Sequence, residues 1–470
     1  MIAKTNIDIT WDGISTRELS PEILAILQSS GVIRAIDIDQ TNKNPEKFIS
    51  FCGIVQHTSG ILVFLPKSHP KPSVKDRKST AKSILSCINK YFGGKQSDLK
   101  ANGDEGLVGS PERLSLYKDI VEDYRKNGLY RAQEKVRKRI NSGKIDWKST
   151  IKRVLPIFSK NGALVYPSFI TNNYRQSSTN LIARIHAAIV NEIDENLGWW
   201  FADNDIERAA PELRGSLLPS EDRTKLVAAL CAELAVTFTD RQIRLLQNLI
   251  AYLNDKQSFT VLGNNAIGVR RFEYIWEHMI EHAIGPSSQS LKRSLPSPVY
   301  IDSLSKVTLI SGKSGRIDTL IHEGNCVAIV DAKYYQMSGP TLAPGWPDLV
   351  KQYFYERLVK SACAQATIGN YFIAPRSNSN NSPLTATMGR ATSGDKVELA
   401  AIFPPIGLIY QCPREMIIGF NTGLRNGLLR DRIFELTALQ RSKSYEERVM
   451  LLQSELRKWY GPNVEDAIQR

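Results

Sequence analysis

The 470-residue chain has no apolar run of the roughly 20 residues that a bilayer span requires, and its opening MIAKTNIDITWDG is not a secretory leader. A membrane-embedded or exported protein is therefore not expected, and a cytoplasmic location is. The six cysteines, Cys52, Cys87, Cys231, Cys326, Cys363 and Cys412, have no CxxC or other metal-ligand spacing, which leaves them as reduced thiols rather than a zinc site or a disulfide framework. A phosphate-binding loop is missing too. The GKS at Gly312-Lys313-Ser314 has Val307 where the upstream glycine belongs, so nucleotide hydrolysis by this chain is not expected.

Hydrophobic residues make up 42% and charged residues 23%, the composition of a globular protein large enough for two or three domains. The formal net charge is +13 and the sequence pI about 9.3. Such an excess of lysine and arginine favours a polyanionic partner, either nucleic acid or an acidic protein.

From residue 1 to about Pro72 the pattern is mostly extended, with NIDITW, VIRAIDID, and a hairpin over FISFCGIVQHTSGILVFLPK turning at Thr58-Ser59-Gly60. His57, beside that turn, reads as a surface residue. Arg77 to Phe92 has helical periodicity, Gly93 to Gly109 reads as a loop, and Ser110-Pro111-Glu112 opens another helix. Arg125 to Arg153 is rich in base, either a solvated face or a phosphate-contacting patch. Leu155 to Thr171 is extended. Thr179 to about Asn254 is mainly helical, with a capping-box spacing at Thr239 to Gln242 and with His186 on a packing face.

The chemistry concentrates between Arg316 and Tyr335. Thr319 to Ile321 and Cys326 to Val330 are strand-like, and Gly324-Asn325 suits a two-residue hairpin turn. That turn pairs Glu323 with Cys326 and, counting outward, sets Asp318 opposite Asp331, with side chains about 5 Å apart. Alternation puts Lys333 on the face of Asp331. Two carboxylates so close repel unless a cation lies between them, and Mg²⁺ is the natural one for oxygen ligands and phosphate chemistry. Taken alone, the same pattern also describes an ordinary strand with solvated charged ends.

Two helices flank the hairpin. In the first, Phe272, Ile275, Trp276, Met279, Ile280 and Ala283 form the apolar face, leaving Glu273, Glu277 and Glu281 as an i,i+4 row from which one could supply a further metal oxygen. After a Pro/Gly loop from Gly339 to Pro347, Asp348 opens the second. There Leu349, Val350, Tyr353, Phe354 and Leu358 are expected to be buried, with Lys351, Gln352 and Tyr355 on a polar side near a DNA phosphate. Phe372-Ile373 and Leu399 to Phe403 offer further strands, separated by the Ser/Asn-rich loop Ser377 to Gly394. This order gives an α/β sandwich around a mixed sheet.

A glutamate-bearing helix, then Asp318, then Asp331-Ala332-Lys333, resembles the PD-(D/E)xK nuclease core, although Ile317 stands where the proline of that name would be. More narrowly, FEYIWE, GRID, VDAKYY and DLVKQYFY resemble LlaJI-type restriction endonuclease subunits, relatives of McrC. Gly143 to Thr150 and the Gly53 to Lys67 hairpin are similar to upstream features of that family.

The resemblance implies a multi-domain α+β chain whose β-rich and helical N-terminal adaptor region precedes a restriction-endonuclease-like core. The expected bounds are 1–110 for the β-rich adaptor, 111–262 for a mainly helical middle region, 263–420 for the nuclease domain and 421–470 for a helical extension. It implies a Mg²⁺-dependent endonuclease of a bacterial antiviral restriction system, with Mn²⁺ as a possible substitute. The partners would be double-stranded DNA and a McrB-like AAA+ GTPase or ATPase motor whose hydrolysis the chain stimulates.

Asp318 and Asp331 would hold the metal with Glu277, or Glu273 as second choice. Lys333 would position the water, with Gln352 in support, and Lys351, Tyr355, Arg270 and Arg271 would contact DNA. The alternatives are a non-catalytic activator of the motor that uses the fold to bind DNA, and a nuclease acting on RNA or without a motor.

Overall fold

The computed structural model describes residues 6–29, 32–33, 48–57, 60–93, 107–108, 111–139, 144–177, 180–201, 213, 216, 218, 222–254, 266–301, 307–309, 317–335, 337, 339–376, 384–391 and 397–459. The Thr58-Ser59 turn, most of VIRAIDID and of the Gly93 to Gly109 loop, the GKS tripeptide and most of the Ser/Asn-rich loop lie outside them. The chain forms two compact units, one drawn from Met1–Glu112 and Gly263–Arg470, the other from Arg113–Leu262. No helix among the described residues is long and apolar enough to cross a membrane.

The first unit holds two five-stranded sheets. In the N-terminal sheet, β1 (Ile7–Trp11) runs parallel to β3 (Gly60–Leu65), which pairs antiparallel with β2 (Cys52–His57). β2 in turn pairs with β5 (Ala266–Val269), and β5 with the short β4 (Leu107–Val108). The sheet thus recruits a strand from more than 150 residues downstream, which directly precedes the first site helix.

Gly53 and Gly268 face each other where β2 meets β5, and a Cβ on either would strike the opposite backbone, at Ile267 O or Cys52 O. Glycine here permits a close approach of two strands. Helix α1 (Pro21–Ser29) lies in the region read as mostly extended, and its Leu27 is buried with Phe51, Val55 and Phe64. Tertiary packing of a few apolar residues carries this helix, because at nine residues it is too short to be stable alone. Helix α2 (Arg77–Gly93) packs on the same sheet.

The second sheet has the order β6 (Thr319–Glu323), β7 (Cys326–Ala332), β8 (Thr367–Pro375), β10 (Ile406–Gln411) and β9 (Thr385–Ala386). β7, β8 and β10 are parallel and the two edge strands antiparallel, which makes the sheet mixed. Helices α3 (Phe272–Ile284), α4 (Gln289–Ser294), α5 (Trp346–Ala362), α6 (Pro413–Thr422), α7 (Gly427–Leu439) and α8 (Tyr445–Trp459) complete the unit.

On one face Val327 and Ile329 meet Tyr355 and Val359 of α5. On the other, Tyr371, which pairs with Val330, bonds through its hydroxyl to Thr437 of α7 at 2.9 Å. Period-two alternation puts these contacts on opposite sides, giving the expected helix–sheet–helix sandwich.

The expected strand at Leu399 to Phe403 is corrected. Val397–Leu399 pairs in a separate ribbon with Gly389–Ala391, and Phe403 N–H closes a turn onto Ala400 O at 3.0 Å. Pro404 and Pro405 have no N–H to offer a ladder, so the core strand begins after them, at Ile406.

The second unit contains helices Leu181–Phe201, Arg223–Leu234 and Asp240–Asn254, most of the helix Pro111–Asn127, and a sheet of Ala132–Arg139, Ile170–Ser177 and Lys144–Ile145. The basic run falls largely on that sheet and on helix Trp147–Arg153. His186 is buried, and its Nδ1 accepts the Tyr130 N–H at 3.1 Å, in keeping with a packing role.

Candidate active site

The hairpin has the register that its turn chemistry predicts. Glu323 pairs with Cys326 and Thr319 with Val330, which brings Asp318 level with Asp331. Gly324 has φ +57°, the left-handed conformation a tight turn demands. β7 is buried between two layers of helices, and its charged groups gather at its C-terminal end, from Asp331 onward. Asp318 Oδ2 accepts the Ala332 N–H at 3.2 Å, and its side chain also shares a hydrogen bond with Asp331.

Lys333 Nζ lies 2.5 Å from Asp331 Oδ2 and 2.7 Å from Asp348 Oδ1. Lys351 Nζ reaches the other oxygen of Asp331 at 3.3 Å. Burial pulls both lysines down, but the surrounding carboxylates, Asp331 first, more than offset it and raise both pKa values. Asp348 joins the site through Lys333, a placement that the sequence pattern does not predict. Its place in the first turn after Pro347 was visible, but its distance from Lys333 depends on how α5 docks.

Helix α3 buries the whole apolar face read from its periodicity: Phe272, Ile275, Trp276, Met279, Ile280 and Ala283. Each large side chain contributes roughly 1.5–3 kcal/mol by burial, which far exceeds the few tenths that the glutamate row costs. The three glutamates part ways. Glu273 pairs with Arg271 at 2.8 Å, and Glu281 Oε1 accepts the N–H of Ser287, a residue whose hydroxyl meets the Asp318 carbonyl, at 3.4 Å. Glu277 lies within electrostatic reach of Asp331, Lys351 and Lys333. Burial, then Asp331, raises its pKa, and burial, then Asp331 and Glu277, pushes Asp318 well above the usual carboxylate range.

A second brace acts on the Asp318 main chain, whose carbonyl accepts from Lys292 Nζ at 3.2 Å and from Ser287 Oγ at 3.4 Å.

Helix α5 differs from its expected orientation. Gln352, Tyr353, Tyr355 and Val359 are buried, whereas Val350 and Phe354 are 44% and 57% exposed. The helix lies between two clusters, with Tyr355 and Val359 packed under β6 and β7 and Tyr353 packed against Phe372, Leu408 and Tyr410. Tyr355 is therefore a core residue, and Lys351, whose ammonium is 5.4 Å over its ring, is the α5 cation that pairs with Asp331. Gln352 Nε2 donates to Ile329 O at 3.3 Å, and its buried Oε1 has no partner among the described residues. Arg271 is exposed and stacks on Tyr274, 4.3 Å from the ring, while the Arg270 carbonyl accepts from Ser50 Oγ at 2.7 Å.

Among the described residues no three His, Cys, Asp or Glu side chains form a ready cage for a metal ion. The donor set nevertheless suits Mg²⁺, which is held by one or two carboxylates and keeps most of its waters. With all groups ionised, Glu277, Glu281, Asp318, Asp331 and Asp348 stand against Lys292, Lys333 and Lys351, a formal surplus of two negative charges; without a cation, a proton shared between Asp318 and Asp331 relieves part of it, and a divalent cation would replace that proton.

The sequence is similar to known proteins over most of its length. It is 22% identical over 393 residues to the type II restriction enzyme BsuMI component YdjA of Bacillus subtilis (strain 168), covering 81% of each chain. Among solved structures, a half-complex from a tetradecameric assembly of Thermococcus gammatolerans McrB AAA+ hexamers with bound McrC aligns at TM-score 0.39 and 15% identity, over 91% of this chain and 100% of that one. The McrBC complex of the same organism aligns at TM-score 0.28 and 16% identity, over 59% and 86%. The description of the LlaJI restriction endonuclease matches residues 51–388, and the chain belongs to that family.

Proposed function

We propose that this chain is the DNA-cutting subunit of a restriction system, a PD-(D/E)xK-type endonuclease that depends on Mg²⁺ and works with a separate AAA+ motor. The observation that carries the reading is the hairpin register, which sets Asp318 level with Asp331 while Lys333 Nζ lies 2.5 Å from Asp331. Family membership supports the restriction role, and the resemblance of FEYIWE, GRID, VDAKYY and DLVKQYFY to LlaJI-type subunits, relatives of McrC, supports the motor partnership.

Asp318 and Asp331 would hold the metal, with Glu277 in support. When bound there, Mg²⁺ makes a coordinated water more acidic and offsets charge on the phosphate. Lys333, kept protonated by Asp331 and Asp348, orients the attacking water and donates to a phosphate oxygen. Lys351 balances the charge on Asp331, and exposed Arg271 offers a cation to the DNA backbone. The N-terminal region serves as the adaptor that engages the motor.

The test is a cleavage assay with the motor, its nucleotide and Mg²⁺ on double-stranded DNA. Asp331→Ala and Lys333→Ala are each expected to slow cutting by roughly 10² or more. Cutting at the wild-type rate by both variants sinks the assignment. Motor stimulation without any cutting, even by the wild type, would instead identify a non-catalytic activator.

A further inference from the structure

The residue after Lys333 turns away from the site and into the N-terminal sheet. Tyr334 is buried, its ring 5.4 Å from Phe272 and 6.4 Å from Trp276 of α3. Its hydroxyl accepts the Lys67 N–H at 2.8 Å and hydrogen-bonds to the carboxyl of Asp12, while the Lys67 ammonium lies 5.1 Å over the ring. Asp12 is itself buried just beyond β1. Its N–H is bonded to Leu65 O at 2.8 Å, and its Oδ1 accepts the Phe51 N–H at 3.1 Å. Burial pushes Asp12 up to about 6, with Lys67 and the Tyr334 hydroxyl pulling it back. The proposed chemistry uses neither Asp12 nor Tyr334, yet a buried carboxyl and phenol are costly groups to retain in a core.

The other side of the site is tied to the same sheet. β5 belongs to it, and α3, which carries Glu277, begins three residues after β5 ends. Lys333 directly follows β7, and its N–H donates to Ile373 O at 2.8 Å, continuing the ladder by one bond. The Trp276 indole donates to that same carbonyl at 3.3 Å. Asp331 and Asp348 hold the ammonium itself, and the Lys333 backbone is fixed between its N–H bond to Ile373 and the anchored Tyr334 that follows.

We propose that the N-terminal sheet is a positioning element of the active site, in which Asp12 and the Lys67 backbone grip the Tyr334 hydroxyl and so set the placement of Lys333. The inference rests on the nuclease reading and deepens it. The sheet acts through Tyr334 on the lysine and through β5 on Glu277, so a disturbance in β1 to β3 reaches the reacting groups without touching DNA or metal.

Tyr334→Phe keeps the ring and removes only the hydroxyl, and Asp12→Asn keeps the shape and removes the charge. Both are compared with wild type and Lys333→Ala in the same cleavage reaction, with melting curves and Mn²⁺ binding measured alongside. The expected result is a kcat lower by roughly 10- to 100-fold with KM for DNA and Mn²⁺ affinity within about twofold, since misplacement by about an ångström costs rate rather than binding. The double variant is expected to be no slower than the slower single one, because both break one linkage.

The inference is overturned if Tyr334→Phe cuts at the wild-type rate while Lys333→Ala is dead, or if its loss lies in KM or in metal affinity. Full cutting by Lys333→Ala would overturn the nuclease reading, and this inference with it. Should Asp12→Asn fail to fold, Tyr334→Phe alone decides.

Discussion

Asp348 Oδ1 lies 2.7 Å from Lys333 Nζ, so the first turn of α5 holds the lysine that the hairpin presents. The same carboxylate accepts the Tyr335 hydroxyl at 3.3 Å, joining two residues of the VDAKYY motif to one helix start. A carboxylate in the first turn of a helix is itself favoured by the dipole, which makes the arrangement cheap to maintain.

Replacement of Asp348 by Asn keeps a neutral acceptor but loses the charge. A charge-assisted hydrogen bond of this kind contributes up to about 1.5–3 kcal/mol, and the partial exposure of Asp348 argues for the lower end. We expect Asp348→Asn to melt only slightly earlier than wild type and to cut roughly tenfold more slowly under single-turnover conditions, the scale of one lost positioning contact. An unchanged rate would remove Asp348 from the site.

The glutamates of α3 separate by partner. Glu273 is spent on Arg271 at the surface, whereas Glu277 feels Asp331. Glu277→Gln is expected to raise the Mg²⁺ concentration for half-maximal cutting several-fold, by about 1 kcal/mol of binding, and Glu273→Gln to leave it unchanged. A Mg²⁺ titration of both variants decides, and equal effects would contradict the assignment of Glu277 alone.

The raised carboxyls give stability a definite pH slope. Where a folded pKa lies above the unfolded one, the folded state binds more protons, so stability is full below the unfolded value and falls as pH climbs through the folded value. For Asp12 that window runs from 3.8 to about 6 and corresponds to roughly 3 kcal/mol at most. Asp318 extends the decline to higher pH, and Glu277 contributes in the same direction.

The melting temperature in chelator is therefore expected to fall from the ordinary carboxylate range toward alkaline pH. Asp318→Asn, which keeps an acceptor for the Ala332 N–H, should raise it at alkaline pH and flatten the slope, and Mg²⁺ should do the same for wild type. A slope of the opposite sign, or a destabilised Asp318→Asn, would contradict the electrostatic account.

Much of the site was legible because its signals are local. The Gly324-Asn325 turn and strand alternation were enough to set Asp318 opposite Asp331, since in a hairpin one turn determines every pair. The apolar face of α3 could be read because 3.6-residue periodicity is a property of the helix itself. The orientation of α5 was not legible, because it carries large apolar residues on more than one side and only the two clusters it enters decide that Tyr355 is buried and Phe354 exposed. Nor was β10, whose two prolines shift its start away from the run that looked most strand-like.

By itself, then, the amino-acid sequence determined the hairpin, its register and the acids and lysine on its inner face. Only the tertiary structure decided which of three glutamates faces that pair, that Asp348 completes the setting of Lys333, and that Tyr334 ties it to a sheet built at the other end of the chain. The reason is physical: turns and periodicity act between neighbours, whereas Asp12 and Tyr334 meet across more than 300 residues, through packing that no local pattern encodes.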